Sequence, residues 1–293
     1  MKKLLLTFSL LCSVATYAQQ RYTFSQHEQN AYSYIPAVAG VDGAYHVNSA
    51  AHIQTNYDSL AWQSLALNVS GPLNMLPVSV GVGVLNEQTN HYILSTTQLT
   101  GAYQFERGKN LFSVAASLGM ARLEFTPPMG DSLLDRHRYL PDFGVSAFFM
   151  RGIFYAGVAI QHIGNISHHI AASDEYIGKS LRQQIYVLGG ANISFPTAQL
   201  ALKPSVMLSY MSGRAAASAS LMLGWRDMLW LGASGKTSRL HQDSGQLAFM
   251  AGVNILKKYM LTYSYDMGLH SPSQRPVAHE ISLGITFEKL RQK

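Results

Sequence analysis

The stretch KKYMLTYSYDMGLHSPSQRPVAHEISLGITF, residues 257–287, shows the pattern that decides the fold. Large apolar or aromatic residues occupy every second position on either side of a polar loop: Tyr259, Leu261, Tyr263 and Tyr265, then Ile281, Leu283, Ile285 and Phe287. A period of two is typical of a β-strand, because successive side chains point to opposite faces. The stretch is therefore predicted to form two strands joined by a loop.

The other face of these two strands carries acidic side chains. Asp266 and Glu280 share the phase of the small and polar residues, so they point away from the large apolar ones. A dry sandwich core would not hold unpaired carboxylates, since burying a lone charge is costly. Water on this face and lipid on the other are the conditions found in transmembrane β-barrels.

The composition of the whole chain agrees with a barrel. Of its 293 residues, 47% are hydrophobic and 13% are charged. Beyond the N-terminus, no apolar run approaches the ~20 residues of a membrane-spanning helix. Alternating strands explain this combination, because lipid contacts only every second residue of each strand. The net charge of +6 is too small to favour a nucleic-acid partner.

The beginning of the chain resembles a secretory signal peptide. A basic start precedes an apolar run from Leu4 to Val14, and we expect cleavage near Ala18 followed by insertion into the outer membrane. The single cysteine, Cys12, lies inside this segment, so the mature chain is expected to form no disulfide. The predicted divisions are a signal peptide at 1–18, an N-terminal periplasmic or plug segment at 19–43, a transmembrane β-barrel at 44–288, and a periplasmic tail at 289–293.

Residues 44–288 contain about fourteen strand-like stretches, and their connections alternate between long and short. The long connections are predicted at 86–92, 125–141, 163–180 and 235–245, and the short ones at 106–110, 151–152, 195–198 and 257–258. Short periplasmic turns and long outer loops are typical of an up-and-down antiparallel barrel. Counts of twelve or sixteen strands stay open. A soluble sandwich or propeller is disfavoured, because there is no second apolar face and no repeat of constant length.

Two groups of polar residues are candidates for a metal site or a catalytic site. Several histidines lie in or beside predicted loops or on the first strand: His162, His168, His169, His46 and His52. Their spacing does not by itself bring zinc ligands together. Serine, histidine and acidic residues also gather near the last loop: Asp266, His270, Ser271, His279 and Glu280. They show no order of nucleophile, base and orienting group, so no catalytic, cofactor or metal residue is predicted.

Asp266 and Glu280 have a simpler predicted role. Acidic groups in a barrel lumen usually pair with basic ones, and Arg182 and Lys203 are the candidates in this chain. Such pairs would fix the shape of the barrel or tether a plug.

Short motifs are spread along the whole mature chain. Near its start they are Gln20, Phe24-Ser25-Gln26, Pro36-Ala37 and Ala39-Gly40. The later motifs are Pro141-Asp142-Phe143-Gly144, Tyr155-Ala156-Gly157-Val158, Lys203-Pro204-Ser205, Tyr263-Ser264-Tyr265-Asp266 and His279-Glu280-Ile281. In this order they resemble the PorP/SprF family of outer-membrane proteins in the type IX secretion system of Bacteroidota, with Ile35 in place of the family's usual Asn. Each motif is short, and the specificity lies in their ordered succession. Ala61-Trp62-Gln63 departs from the family's Arg-x-Gln-Trp.

The resemblance implies a non-enzymatic component of protein secretion and gliding motility. Its implied role is a binding platform or adaptor for the export and surface retention of proteins with C-terminal sorting domains. The implied partners are periplasmic lipoprotein and peptidoglycan-binding components, motor-ring proteins, the exported proteins and outer-membrane lipid. The alternative is an outer-membrane diffusion channel or small-molecule uptake barrel. Candidates for lumen or partner contacts are Phe24, Ser25, Gln26, Pro36, Arg182, Lys203, Asp266, His279 and Glu280.

Overall fold

The structure, a computed structural model, describes residues 24–56, 59–73, 76–89, 92–125, 137–163, 182–211, 214–238, 244–269 and 277–287. A short helix α1 (Ala31–Tyr34) and a 3-10 turn (Pro36–Val38) come first, and a second 3-10 turn (Pro196–Ala198) lies between strands. The first eight strands are β1 (Tyr45–Asn56), β2 (Ser59–Pro72), β3 (Val78–Thr89), β4 (Tyr92–Arg107), β5 (Asn110–Phe125), β6 (His137–Arg151), β7 (Phe154–Gln161) and β8 (Gln184–Ala191). The others are β9 (Ile193–Phe195), β10 (Leu200–Met211), β11 (Arg214–Trp225), β12 (Leu229–Ser238), β13 (Ser244–Ile255), β14 (Tyr259–Gly268) and β15 (Val277–Phe287). No helix within these residues is long and apolar enough to cross a membrane.

The strands form one closed antiparallel barrel. Each strand pairs with its neighbours in sequence, and β15 pairs with β1, so that Tyr45 lies opposite Phe287. The short strands β8 and β9 lie end to end along β10 and make a single crossing. The barrel therefore has fourteen crossings, which confirms the predicted fold and strand number.

The two faces of the wall differ as the alternation predicts. Large apolar side chains lie exposed on the outside of strand after strand, among them Leu65, Leu67, Val69, Val206, Leu208, Leu221, Leu223, Ile281 and Leu283. Small and polar side chains of the same strands are buried inside, among them Ser64, Asn68, Ser205, Ser220, Thr262, Ser264 and Ser282. An exposed apolar band this extensive is what lipid would cover in a membrane barrel.

The two ends of the barrel also differ. One end, called here the short-turn end, has connections of two to five residues, among them the turns at Gly108, Gly152 and Arg226–Met228. Gly108 and Gly152 have φ of 64° and 59°, a conformation that glycine adopts without strain and that tight hairpins require. The opposite end, called the long-loop end, is where β5, β7 and β12 end. The sequence predicts long loops after these strands, at 125–141, 163–180 and 235–245. The parts of these loops at 126–136, 164–181 and 239–243, like residues 1–23 and 288–293, lie outside the described residues.

Three predicted long loops are shorter in the structure. Most of the predicted loop 86–92 belongs to strands, because β3 continues to Thr89 and β4 begins at Tyr92. The predicted loop 125–141 is shorter, since β6 begins at His137 and contains Pro141. Pro141 pairs with Met120 of β5, but β7 pairs with β6 only from Val145 onward, so that part of β6 is an edge where proline is tolerated. The predicted loop 235–245 is shorter as well, because β12 continues to Ser238.

Candidate functional site

Residues 24–43, called here the N-terminal segment, run through the lumen from near the long-loop end to the short-turn end. Ser25 contacts Glu280, three residues after β15 begins at the long-loop end. Further along, the amide of Ala37 donates to Ser146, and the side chain of Gln104 donates to the carbonyl of Ala39. Gly40 then lies against Ser79 and Pro72 at the short-turn end. The segment therefore descends through the whole barrel before the chain enters β1.

A buried charged cluster holds the upper end of the N-terminal segment. The carboxylate of Glu280 accepts the backbone N–H groups of Ser25 at 2.9 Å and of Gln26 at 3.0 Å. Asp266 accepts the hydroxyl of Ser25, and Lys236 Nζ lies 3.3 Å from its Oδ2 atom. We call Ser25, Lys236, Asp266, Glu280 and the neighbouring His52 the outer cluster. His52 Nδ1 lies 3.7 Å from Glu280 Oε2, and all the ionisable members are nearly or fully buried.

The outer cluster also has the residue types of a metal site. Ligand atoms of His52, Asp266 and Glu280 all lie within 4.8 Å of one another. However, the two oxygens of Glu280 already accept amide protons, and the ammonium group of Lys236 stands beside Asp266. A cation here would face the positive charge of Lys236, so these residues fit an anchor for the chain better than a metal centre.

Further contacts bind the middle of the N-terminal segment to the barrel wall. Each joins a polar group of the segment to an inward-facing polar group of a strand, and they are Gln29 to Thr262 at 2.7 Å, Asn30 to Ser282 at 3.2 Å, Tyr32 to Thr100 at 3.0 Å, and Gln161 to the carbonyls of Ser33 and Tyr34 at 3.1 and 2.9 Å. These strands lie around the barrel, so the segment is tied to several sides of the wall. The small polar lumen residues are therefore the hydrogen-bond partners of an internal chain.

The apolar side chains of the segment form the centre of the barrel. Phe24, Tyr32, Tyr34 and Ile35 are buried in one cluster with wall residues such as Tyr186. The rings of Tyr34 and Tyr186 lie 5.3 Å apart. The lumen thus has an apolar core made jointly by the N-terminal segment and the wall, which fixes the segment by packing as well as by hydrogen bonds. The expected water-facing inner surface was therefore wrong at this level of the barrel.

Among the residues of the segment with shifted pKa values, His27 and Glu28 are influenced by lysines of the wall. Burial, with a further contribution from the charge of Lys236, lowers the pKa of His27 from 6.5 to about 4. Its ring stays neutral and contacts Ser205 at 2.9 Å and Ser218 at 3.3 Å. Burial raises the pKa of Glu28 above its ordinary value, and the ammonium group of Lys203, 3.8 Å away, opposes that shift.

The residues proposed from sequence fall into three groups. Phe24, Ser25, Gln26, Pro36, Asp266 and Glu280 lie buried in the lumen. Lys203 also reaches the lumen, but it contacts Glu28. His279 is exposed on the outside of β15, where its Nδ1 lies 2.7 Å from the hydroxyl of Tyr263, and Arg182 is exposed before β8 at the long-loop end. These two residues therefore do not lie in the lumen, and they stay candidates for partner contacts only. Asp266 pairs with Lys236 and not, as expected from the sequence, with Arg182 or Lys203.

Lys236 was not predicted as a lumen residue, because its strand was expected to end before 235. In the structure β12 continues to Ser238 and contains Lys236. The signal was present, since Lys236 shares the inward phase of Ser234 two residues earlier. No lumen contact was predicted for His52 or Asp142. Asp142, in one of the resemblance motifs, accepts the amide of Gln98 and contacts His162 Nδ1 at 2.9 Å. The other residues considered for chemistry, His168, His169, His270 and Ser271, lie outside the described residues.

Beneath the N-terminal segment, a cavity of about 390 Å³ lies in the half of the lumen nearer the short turns. We call it the vestibule. Its lining includes Asp42 and His46, whose side chains lie 2.9 Å apart at the entry to β1, and Asn48, Asn192 and Thr286. The segment and the vestibule together divide the lumen into a packed upper part and an emptier lower part.

Comparison with known proteins agrees with this architecture. The model of a family described as "Type IX secretion system membrane protein PorP/SprF" matches residues 16–285. No match was found among curated protein sequences.

Solved outer-membrane barrels share the fold at low sequence identity. The Acinetobacter baumannii outer membrane protein Omp33 is 9% identical, with a TM-score of 0.52 over 84% of this chain and 99% of its own. The CymD monoaromatic hydrocarbon channel is 10% identical, with a TM-score of 0.53 over 84% and 89%. The Ralstonia pickettii toluene transporter TbuX is 8% identical, with a TM-score of 0.53 over 89% and 94%. These likenesses establish the barrel fold alone.

Proposed function

Because the chain belongs to the PorP/SprF family of type IX secretion system membrane proteins, we propose that it is a non-enzymatic binding platform in the outer membrane. It acts as an adaptor for the export and surface retention of proteins with C-terminal sorting domains, and it links them to the periplasmic machinery. Membership in this family supports a role in type IX secretion, and the filled lumen supports a binding platform.

The N-terminal segment is the observation that supports a platform over a translocation pore. Its anchors lie on strands around the whole barrel, and its aromatic side chains pack at the centre. A fourteen-stranded barrel is already narrow for folded cargo. With residues 24–43 inside, the space left for a passing protein is smaller still, and contacts with partners would be made at the two ends of the barrel.

The two ends suit different partners. The short turns face the periplasm in barrels of this type, so this end would meet lipoprotein, peptidoglycan-binding and motor-ring components. The long loops would meet the exported proteins at the cell surface. Signal cleavage near Ala18 would precede insertion into the membrane.

A deletion strain tests this proposal. Loss of the protein should abolish surface display of at least one protein with a C-terminal sorting domain, and a plasmid copy should restore that display. Full secretion and display of every such protein in the deletion strain would contradict the proposal.

The diffusion channel is the second candidate, because the solved barrels of similar fold include a hydrocarbon channel and a toluene transporter. The purified chain in planar bilayers separates the two. A platform with a seated N-terminal segment should show no steady open-channel conductance, whereas a diffusion channel should show it without any partner.

A further inference from the structure

A second cavity, of about 220 Å³, lies between the N-terminal segment and strands β10 to β14. Its apolar lining comes from Met222, Met250, Met260 and the ring of Trp230, which is 6% exposed. Trp230 and Met260 each lie one residue after their strands begin at the short-turn end. We call this space the methionine pocket.

Four polar atoms beside the methionine pocket lack partners. Among the described residues, no group hydrogen-bonds to the indole N–H of Trp230, the side-chain oxygen of Asn254, or either amide atom of Gln26. All four atoms are buried, and Gln26 is 3% exposed. Buried polar groups in folded proteins are nearly always satisfied, so this concentration in one cavity indicates room for a ligand that supplies partners.

The unsatisfied atoms define the chemistry of that ligand. Trp230 and the NH₂ group of Gln26 donate, whereas Asn254 and the amide oxygen of Gln26 accept. Donors and acceptors are thus balanced, and both atoms of Gln26 are open whichever way its amide is turned. A peptide group offers one carbonyl and one N–H, which is the complementary set.

The charges beside the pocket favour an uncharged ligand. Lys203 and Glu28 both border the cavity, but their side chains lie 3.8 Å apart and compensate each other. The ammonium group of Lys203 also lies 4.7 Å from the centroid of the Trp230 ring. The remaining surface is thioether and indole, and flexible methionine side chains adapt to apolar groups of different shape.

We propose that the methionine pocket binds an uncharged peptide segment through one apolar side chain and its adjoining peptide groups. The segment enters through the vestibule, which shares Glu28, Gln29, Lys203 and Met260 with the pocket. The volume suits about one large residue, since drug-sized ligands occupy pockets of roughly 300–1,000 Å³. This inference rests on the proposed function and deepens it, because it gives the platform a peptide site on its periplasmic side.

Binding is tested on the purified full-length chain in detergent micelles with N-acetyl-L-leucine methylamide as the probe. The chain has 3 tryptophans, so the indole ¹⁵N–¹H spectrum contains few signals, and Trp230→Phe assigns the one from the pocket. A saturable shift of the Trp230 signal, with Trp62 and Trp225 unmoved, supports the proposal. N-acetylglycine methylamide should need at least about tenfold more ligand, since it lacks the apolar side chain.

A matched pair of variants locates the binding. Asn254→Leu removes an acceptor from the pocket and should weaken probe binding about tenfold. Asn110→Leu is the control, because Asn110 also has an unpartnered buried side-chain oxygen but lies at the turn between β4 and β5, outside the pocket. Unchanged Trp62 and Trp225 signals confirm that each variant is folded.

Three results would overturn the inference: no shift of Trp230 up to the solubility limit, equal shifts of all three tryptophans, or equal weakening by the two asparagine variants. None of them bears on secretion in the deletion strain. If the probe does not bind but the deletion strain loses surface display, the peptide site alone is rejected. If the probe binds but display is unchanged in the deletion strain, the secretion role is rejected.

Discussion

The outer cluster and the methionine pocket meet the same N-terminal segment, and Ser25 borders both of them. In the outer cluster, both oxygens of Glu280 accept N–H groups, and Lys236 stands beside Asp266. In the methionine pocket, Trp230 and Asn254 each keep a polar atom that has no hydrogen-bond partner among the described residues.

The two sites differ in how their buried polar groups are satisfied. A charged group that leaves water must find partners within the protein, and the outer cluster supplies them by holding the chain in place. Neutral polar groups cost less when they are left unpaired, so they can remain open to a ligand. The outer cluster thus retains the N-terminal segment, and the methionine pocket is left open to receive a ligand.

Lys236→Met should produce the largest effect, because it leaves the buried carboxylate of Asp266 without its cation. We expect a loss of about 4 kcal/mol in the free energy of unfolding, measured by urea denaturation in detergent. The double variant Lys236→Met/Asp266→Asn should lose less than the sum of the single variants, since it removes both charges.

Lys257→Met is the matched control for that change. Lys257 lies 3.8 Å from Asp227, and both side chains are mostly exposed, so the variant should lose less than about 1 kcal/mol. Equal losses at the two lysines would show that the outer cluster is no stronger than a surface ion pair.

Glu280→Gln should come next. The amide that replaces the carboxylate keeps one acceptor, but it turns an N–H group toward the backbone N–H of Ser25 or Gln26. We expect a loss of about 3 kcal/mol from the unsatisfied buried donors and faster proteolysis within residues 24–43. Glu124→Gln, in a partly exposed pair with Arg122, is the control, and equal protease sensitivity of the two variants would contradict the anchoring role.

Much of this architecture was predictable from the sequence. The period of two in residues 257–287 predicted the last hairpin, and the inward phase of Asp266 and Glu280 predicted two members of the outer cluster. Each of these inferences depends on neighbouring positions along one strand, where side chains must alternate between the two faces.

The partners of Asp266 and Glu280 were not predictable in the same way. Glu280 meets Ser25 across 255 positions of the chain, and Asp266 meets Lys236 across 30. Such contacts depend on the curvature of the closed wall and on the path of the N-terminal segment, which has no periodicity of its own. Arg182 was a reasonable partner by charge, but its place before β8 puts it at the barrel's end.

Acidification should weaken the hold on the N-terminal segment through His27. Its pKa is about 4 when the segment is bound in the lumen and 6.5 when the segment is detached. Between these pH values the detached segment binds a proton at His27 and the bound segment does not. The stabilisation from a neutral His27 is therefore complete above pH 6.5 and is lost as the pH falls towards 4. Between pH 7 and pH 5 we expect a loss of about 2 kcal/mol, measured by denaturation at each pH.

His27→Gln isolates this contribution. Between pH 7 and pH 5 the variant should lose about 2 kcal/mol less than the unchanged protein, whereas the raised pKa of Glu28 acts in the opposite direction and is untouched. If His27→Gln kept the full pH dependence, another group would be responsible.

The smallest expected effect tests the pocket side of the comparison. Trp230→Phe removes an indole N–H that has no partner within the described residues, so the free energy of unfolding should change by less than about 0.5 kcal/mol beyond the effect of ring size. Trp62→Phe removes an N–H that donates to Ser64 at 2.8 Å and should cost about 1 kcal/mol more. Urea denaturation of the two variants gives the difference directly. A larger loss at Trp230 would mean that its N–H is already satisfied in the free protein, and the methionine pocket would then have no open donor for a ligand.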